Sequence, residues 1–291
     1  MVISTDKSSD FSQTALLRCG SKLVDLDNPL IMGILNFTPD SFYDGGSSFT
    51  VDEAVKKAGK MMDEGATFID IGAVSTRPGS KTPACDEEIN RLLPVLKAII
   101  HLFPEAVVSV DTYRAEVARI ALHEGAHMIN DISGGQADAG MLQLMAHSEA
   151  AYVMMHMQGT PETMQKNPHY ENIVEEIAHF FTAQLRHLKL SGKKNIVLDP
   201  GFGFGKNLNH NYTLLNHLHY FRAMFDFPLL AGISRKSMIY KPLEVTPAEA
   251  LNGTTVANTI ALLQGANILR VHDVKPAIEA VKLVKLMRQN I

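Results

Sequence analysis

The stretch Ile31-Met-Gly-Ile-Leu-Asn-Phe-Thr-Pro-Asp-Ser-Phe-Tyr-Asp-Gly-Gly46 opens as a strand and closes as a loop. Ile31, Met32, Ile34 and Leu35 form the near-continuous apolar run of a strand covered on both faces, as in a parallel sheet. At Asn36 the character changes. Thr38, Pro39, Asp40, Ser41, Asp44, Gly45 and Gly46 are almost all turn formers. A βα connection usually takes about 2–6 residues. This one continues to about Phe49 and carries more polar groups than a connector needs. A buried strand that delivers a long polar loop is how parallel α/β folds build sites. Asn36 is expected on a fixed rim, with Thr38 to Gly46 as a mobile lid.

The same unit recurs along the chain. Short apolar, β-branched runs occupy Leu30–Asn36, Thr67–Ala73, Val107–Asp111, Met128–Ile132, Ala151–His156, Ile196–Asp199, Leu229–Ser234 and Ile268–His272, with helical patterns between them. Eight such units in one chain suit a (β/α)8 TIM barrel better than an open sheet. Residues 1–13 are polar and read as a disordered or extended N-terminus, and 14–291 as a single barrel domain. A short hairpin around Cys19-Gly20-Ser21 is expected at the closed end. Thr50-Val-Asp-Glu53 reads as a capping box that starts a helix ending at Gly65. Thr246-Pro-Ala-Glu249 repeats the device before a helix closed by Gly265. Pro94 predicts a kink or break in the helix spanning Asp86 to about His101. Residues 158–195 predict a loop, Gln158 to Tyr170, and then a helix from Ile173 to Leu190.

Composition narrows the function classes. The chain has 291 residues, 46% hydrophobic and 20% charged, with net charge −4. There is no run of five or more like charges, which argues against nucleic acid or an anionic membrane as the main partner. Two cysteines, Cys19 and Cys85, make no disulfide framework in a chain this long, which fits a reducing, cytoplasmic setting. The N-terminus lacks the basic and apolar segments of a signal peptide. No stretch approaches about 18 consecutive apolar residues.

In a parallel barrel the chemistry collects where the strands end. Those ends carry Asn36; Asp70 and then Ser75-Thr-Arg-Pro-Gly79; Asp111; Asn130-Asp131; Met155-His156; Asp199-Pro-Gly-Phe-Gly-Phe-Gly-Lys206; Ser234-Arg-Lys-Ser237; and Arg270 with His272. Convergent carboxylates and an amide suit a flat heterocycle with amino and lactam edges, since Asp accepts from ring N–H groups and Asn both gives and accepts. Arg77, Arg270 and His272 suit a phosphate or diphosphate. Asn36 is a neutral oxygen ligand that fits Mg²⁺ held mainly through a phosphate. Asp70, inside its strand, reads as structural, and Asp131 is left open. The glycines of Gly201 to Lys206 match neither a P-loop nor a dinucleotide loop. They read as close backbone approach to a ligand, with Phe202 or Phe204 as an apolar wall.

The motifs NFTPDSFYDGG, STRPGS, SVDTYRAEVA, MINDISGG, DPGFGFGK, GISRKS and RVHD, in this order, resemble the dihydropteroate synthase family of folate biosynthesis. The match runs from about Leu30 to the C-terminus. The resemblance implies a TIM barrel, usually a homodimer, and a transferase. It would join 6-hydroxymethyl-7,8-dihydropterin diphosphate to 4-aminobenzoate and release diphosphate. It further implies that Asp111, Asn130, Asp199 and Lys236 bind the pterin, with Met155 packed on its ring. Asn36, Arg270 and His272 fall to the diphosphate and Mg²⁺. Thr76, Arg77 and Pro78 fall to a second mobile loop, and Phe204, Lys236 and Ser237 lie near the aminobenzoate. Asp44, Thr76, Arg77 and Lys236 are the implied catalytic set. One departure stands out: the family often has Gly-Glu before STRPG, and this chain has Ala73-Val74.

An electron-rich ring carrying a methylene diphosphate suggests a dissociative, SN1-like step, with Asp111 and Asp199 near the cation and an aniline as weak nucleophile. Two other activities compete, beside an inactive homologue that the Ala73-Val74 departure allows. Lys236 could form a Schiff base in a lyase. A pterin-binding barrel could instead present methyltetrahydrofolate to a corrinoid partner.

Overall fold

The computed structural model describes residues 16–38, 50–74 and 83–290. Asp44, Thr76, Arg77 and Pro78 lie outside these residues, as do the rest of 39–49 and 75–82, residues 1–15 and 291.

The chain begins with β1 (Leu16–Cys19) and β2 (Lys22–Asp25), paired antiparallel about Gly20. The barrel follows as β3 (Leu30–Asn36), α1 (Val51–Asp63), β4 (Phe68–Gly72), α2 (Cys85–Leu102), β5 (Val107–Asp111), α3 (Ala115–His123), β6 (Met128–Asp131) and α4 (Ala139–Ala146). It continues with β7 (Ala151–Met155), α5 (Ile173–Leu190), β8 (Ile196–Asp199), α6 (Leu208–Asn216), α7 (Leu218–Met224) and β9 (Leu230–Ala231). It ends with α8 (Ser237–Tyr240), α9 (Leu251–Leu263), β10 (Ile268–Val271) and α10 (Val274–Gln289). The eight strands β3 to β10 are parallel and hydrogen-bonded in the order β8-β7-β6-β5-β4-β3-β10-β9. A parallel bridge between Leu198 and Leu229 joins the two ends into a nearly closed barrel.

Period-two alternation sorts the strand residues between two cores. Outward-facing Ile69, Val108, Ile129, Tyr152 and Leu198 pack with the helices in one large cluster. The first inward residues, Phe68, Val107, Met128, Ala151, Leu230 and Ile268, form a second cluster with Leu17, Cys19, Val24 and Leu26. The hairpin is therefore the plug of the closed end. Lys22 Nζ donates to the Pro104 and Ala106 carbonyls, and Lys193 Nζ to those of Ser148 and Ala150, which pins the loops around it. Burial pushes the Cys19 thiol up to about 12, against the nearby lysines, so it packs as an inert hydrophobe.

Three expectations need correction. The helix α2 runs unbroken through Pro94. Pro94 faces solvent, while Leu92, Val95, Leu96 and Ile99 on both sides of it are buried, so packing keeps the two halves in one helix without a break. Thr246 and Glu249 do bond, with Thr246 N and Oγ1 both donating to Glu249 Oε2 at 3.0 and 2.8 Å, but the helix begins only at Leu251. Arg235 Nη1 takes the Pro247 and Ala248 carbonyls at 2.9 and 2.7 Å, and a continuous helix would need those acceptors. The seventh barrel strand, expected over Leu229–Ser234, is two residues long, because the chain turns away at Ile233 to Lys236 with Arg235 at φ 55°. The Thr50–Glu53 box, the positive-φ stops at Gly65 and Gly265, and the helix Ile173–Leu190 are as expected.

Candidate active site

The strand register sets the rim side by side. Asn36 pairs with Gly72, Gly72 with Asp111, and Asp111 with Asn130, while Met155 pairs with Asp199. Gly72 is the small residue between two polar ones. A Cβ there would lie 3.4 Å from Asn36 Oδ1 and 3.7 Å from Asp111 Cβ.

One turn of side chains below the rim sits Asp70, fully buried. Its Oδ2 accepts from Arg270 Nε at 2.7 Å and from Asn130 Nδ2 at 3.0 Å. Arg270 also donates through Nη2 to Asp111 Oδ2 at 2.8 Å. Asp70 is thus more than a structural group of its strand: it orients two residues of the mouth. Its Oδ1 and the neighbouring Ser109 Oγ are buried without a partner among the described residues. Burial pushes Asp111 up to about 7, against the pull of the Arg270 charge. For Arg270, burial works downward, but Asp70 and Asp111 outweigh it and hold the guanidinium above its ordinary range.

On the opposite wall, Asp199 Oδ1 accepts from Gly201 N at 2.8 Å. Asp199 Oδ2 and Lys236 Nζ each lie 3.8 Å from where a Cβ on Gly232 would be, so this glycine keeps open the space between them. Burial raises Asp199, opposed mainly by Lys236. Burial pulls Lys236 down to about 8, and Asp199 resists. Lys236 Nζ donates to the Phe202 carbonyl and stands 4.5 Å from the centroid of the Phe204 ring. Ser237 follows as the first residue of α8, half-buried. Met155 belongs to an apolar wall with Ile132, Met157, Met164, Tyr113 and Phe204.

His272 is exposed on the rim. Ser234 Oγ accepts from His272 N at 3.2 Å and meets His272 Nδ1 at 3.0 Å. A hydroxyl that accepts from the backbone can give its own proton to Nδ1, which turns an Nε2–H outward. Partial enclosure and the Arg270 charge hold this imidazole below its usual range.

Several neighbours point elsewhere. Asp131 accepts from Ser133 N and Oγ, Gly135 N and Tyr152 Oη, on the outer face of the barrel. Arg235 makes a two-pronged pair with Asp273 at 2.8 and 2.9 Å and has no part in the mouth. Of the expected set, Asn36, Asp111, Asn130, Met155, Asp199, Phe204, Lys236, Ser237, Arg270 and His272 all lie at the open end. Sequence reasoning missed Asp70 as an organiser, because position within a strand does not show what its side chain meets two strands away. It also missed Tyr113, Ile132, Met157 and Met164 as the apolar wall, whose residue types match any core.

The profile of the family described as "Pterin binding enzyme" matches residues 32–272. The chain belongs to this family. The dihydropteroate synthase of Escherichia coli (strain K12) is 47% identical over 264 residues, covering 90% of this chain and 93% of the relative. A crystal structure of the Yersinia pestis dihydropteroate synthase with a sulfonamide drug superposes with a TM-score of 0.89 at 43% identity, covering 94% of this chain and 99% of that one. The Xanthomonas albilineans dihydropteroate synthase, solved with 4-aminobenzoic acid, superposes with a TM-score of 0.87 at 36% identity, covering 94% and 98%. These matches select the dihydropteroate synthase reaction, a transferase activity, over the lyase and the corrinoid-partnered barrel.

Proposed function

We propose that the barrel mouth binds the dihydropterin diphosphate on Asp111, Asn130, Asp199 and Lys236 and receives 4-aminobenzoate beside Phe204, Lys236 and Ser237. The observation that carries this reading is a convergence of acceptors. Asn130 donates through Nδ2 to Asp70, Asp199 Oδ1 accepts from Gly201 N and Asp111 Oδ2 accepts from Arg270 Nη2. Each residue keeps one oxygen with no other partner among the described residues. Three oxygens around one space suit a ring that offers an amino group and ring N–H donors. Met155, Ile132 and Phe204 supply flat apolar surface for its faces.

The charges favour a cation. Asp111 and Asp199 set carboxylates on two sides of the mouth, beside Arg270 and Lys236. When the bond from the methylene to the diphosphate breaks heterolytically, both electrons leave with the diphosphate and the carbon becomes positive. Asp111 and Asp199 stabilise that charge as it spreads into the ring. The aniline nitrogen then attacks and afterwards loses its proton. Forming the cation first suits so weak a nucleophile. Arg270 through Nη1 and His272 through Nε2–H are the donors placed to meet the departing diphosphate. Thr76, Arg77, Pro78 and Asp44 are assigned to the two lid loops that shut out water.

Mg²⁺ fits through Asn36. Its Oδ1 is a neutral hard oxygen on the rim, and among the described residues no group of three His, Cys, Asp or Glu side chains could cage a metal ion. This donor set suits a cation held by one protein oxygen, waters and the diphosphate. When bound, Mg²⁺ would neutralise charge on the leaving group. A homodimer is the proposed assembly. Val256, Ile260 and Leu263 on α9, and Leu283, Leu286 and Met287 on α10, are exposed at helical spacing and form adjoining apolar stripes on two packed helices. No helix among the described residues is long and apolar enough to cross a membrane, and the cytoplasm is the proposed location.

The test is a diphosphate-release assay. Release should require both 4-aminobenzoate and Mg²⁺, and Asn36→Ala should need about tenfold more Mg²⁺ for half-maximal rate. An Asn36→Ala enzyme with wild-type rate and wild-type Mg²⁺ titration would remove the metal assignment.

A further inference from the structure

Lys206 ends the glycine motif, is 3% exposed and has no part in the chemistry above. Its ammonium lies 2.9 Å from the Gly201 carbonyl, 3.0 Å from that of Phe204, 3.3 Å from that of His156 and 3.1 Å from His156 Nδ1. An ammonium has three N–H donors. Four acceptors enclose them, so none is left for a substrate. Burial pulls Lys206 down to about 7, although Asp199 resists, and pulls His156 down to about 2, which keeps the ring neutral and able to accept.

The loop 200–206 is built around this point. Gly201, Gly203 and Gly205 have φ of 75°, 81° and 61°, and in this backbone the Gly201 and Phe204 carbonyls both reach the Lys206 ammonium. A Cβ on Gly201 would come within 2.0 Å of the His156 carbonyl, and one on Gly205 within 2.5 Å of that of Gln158. Converging carbonyls repel one another unless a cation stands between them. Outer ties complete the loop: Gly203 N donates to Asn211 Oδ1, Gln165 Nε2 to the Gly203 carbonyl and Tyr170 Oη to the Gly205 carbonyl. The opposite side of the loop meets Lys236. The Lys236 ammonium bonds the Phe202 carbonyl, its stem passes Gly203, where a Cβ would be 3.1 Å from Cδ, and its head stands over Phe204.

We propose that Lys206 is a positioning residue for the amine half of the reaction: its ammonium is the internal cation on which loop 200–206 folds, and through that loop it sets where Phe204 and Lys236 meet the 4-aminobenzoate. Asp111, Asn130 and Asp199 hold the pterin from β5, β6 and β8, with Gly201 N as the tie from Asp199 to the loop, so the pterin, which shares Phe204 and Lys236 but keeps these three, responds less than the aminobenzoate. This rests on the aminobenzoate placement given above. In Lys206→Met the KM for 4-aminobenzoate rises by about tenfold or more, while the KM for the pterin diphosphate changes by less than about threefold. Phe204→Ala and Lys236→Ala are the controls. If they leave the aminobenzoate KM unchanged, the placement itself fails; if they raise it and Lys206→Met does not, only the role of Lys206 fails. A parallel rise of both KM values also overturns the proposal, since that is general damage. Should Lys206→Met not fold, Lys206→Gln, which keeps two N–H donors for the same carbonyls, carries the same test with a smaller split.

Discussion

Asp70 shows how a single buried carboxylate can organise a mouth it does not enter. With Arg270 Nε at 2.7 Å and Asn130 Nδ2 at 3.0 Å, it decides which way the Asn130 amide faces. Asp70→Asn keeps the shape but offers an NH₂ to a guanidinium. Removing one partner of a buried pair costs about 3–5 kcal/mol. The expected outcome is a loss of kcat/KM for the pterin substrate of at least about a hundredfold together with a lowered Tm, checked by steady-state kinetics beside thermal melts. Lys236 adds a pH signature. With its ammonium pulled down to about 8, the charged form is lost as pH rises through that value, and activity should fall on an alkaline limb there. In Lys236→Arg the group stays charged, so whatever activity survives should show no limb near 8; a limb at the same pH would assign it to another group. Asp111, Asn130 and Asp199 were readable in the chain because each polar residue closes an apolar run. Asp70 was not, since its partners come from β6 and β10, 60 and 200 residues away.

At the scale of elements, the loop after β8 and the hairpin before the barrel make opposite predictions. Gly201 has φ 75°, and a Cβ would meet the His156 carbonyl at 2.0 Å. Gly201→Ala should therefore destabilise the fold by roughly 2–4 kcal/mol and impair both substrates, read by denaturant unfolding and kinetics. Leu17, buried in the closed-end plug, is far from the mouth. Leu17→Ala should cost about 2–4 kcal/mol of stability and leave both KM values unchanged; a changed KM would mean that the plug is coupled to the site. Eight strands and most helix limits follow from local pattern. The exceptions, Pro94 within α2 and the late start of α9, arise where contacts from other elements outbid a local signal. At Pro94 the buried faces of α2 keep the helix continuous, and before α9 Arg235 claims the carbonyls a helix would use.

For the whole molecule, the exposed apolar stripes on α9 and α10 predict self-association. Leu286→Asp, or Ile260→Asp, should convert a dimer to monomers by light scattering while the barrel still melts cooperatively; a wild-type chain that is monomeric at micromolar concentration would refute the assembly. The sequence by itself determined the barrel, its plug, the open end as the seat of chemistry and most of the residues there. These depend on period, on turn-forming residues and on where polar residues interrupt apolar runs, all of which are local properties of the chain. Only the tertiary structure decided that Asp70 joins Arg270 to Asn130, that Arg235 faces away while Lys236 faces in, and that Lys206 is enclosed by carbonyls and not offered to a phosphate. Those are matters of side-chain direction and of partners distant along the chain, set by strand register and closure of the barrel, which no local pattern encodes.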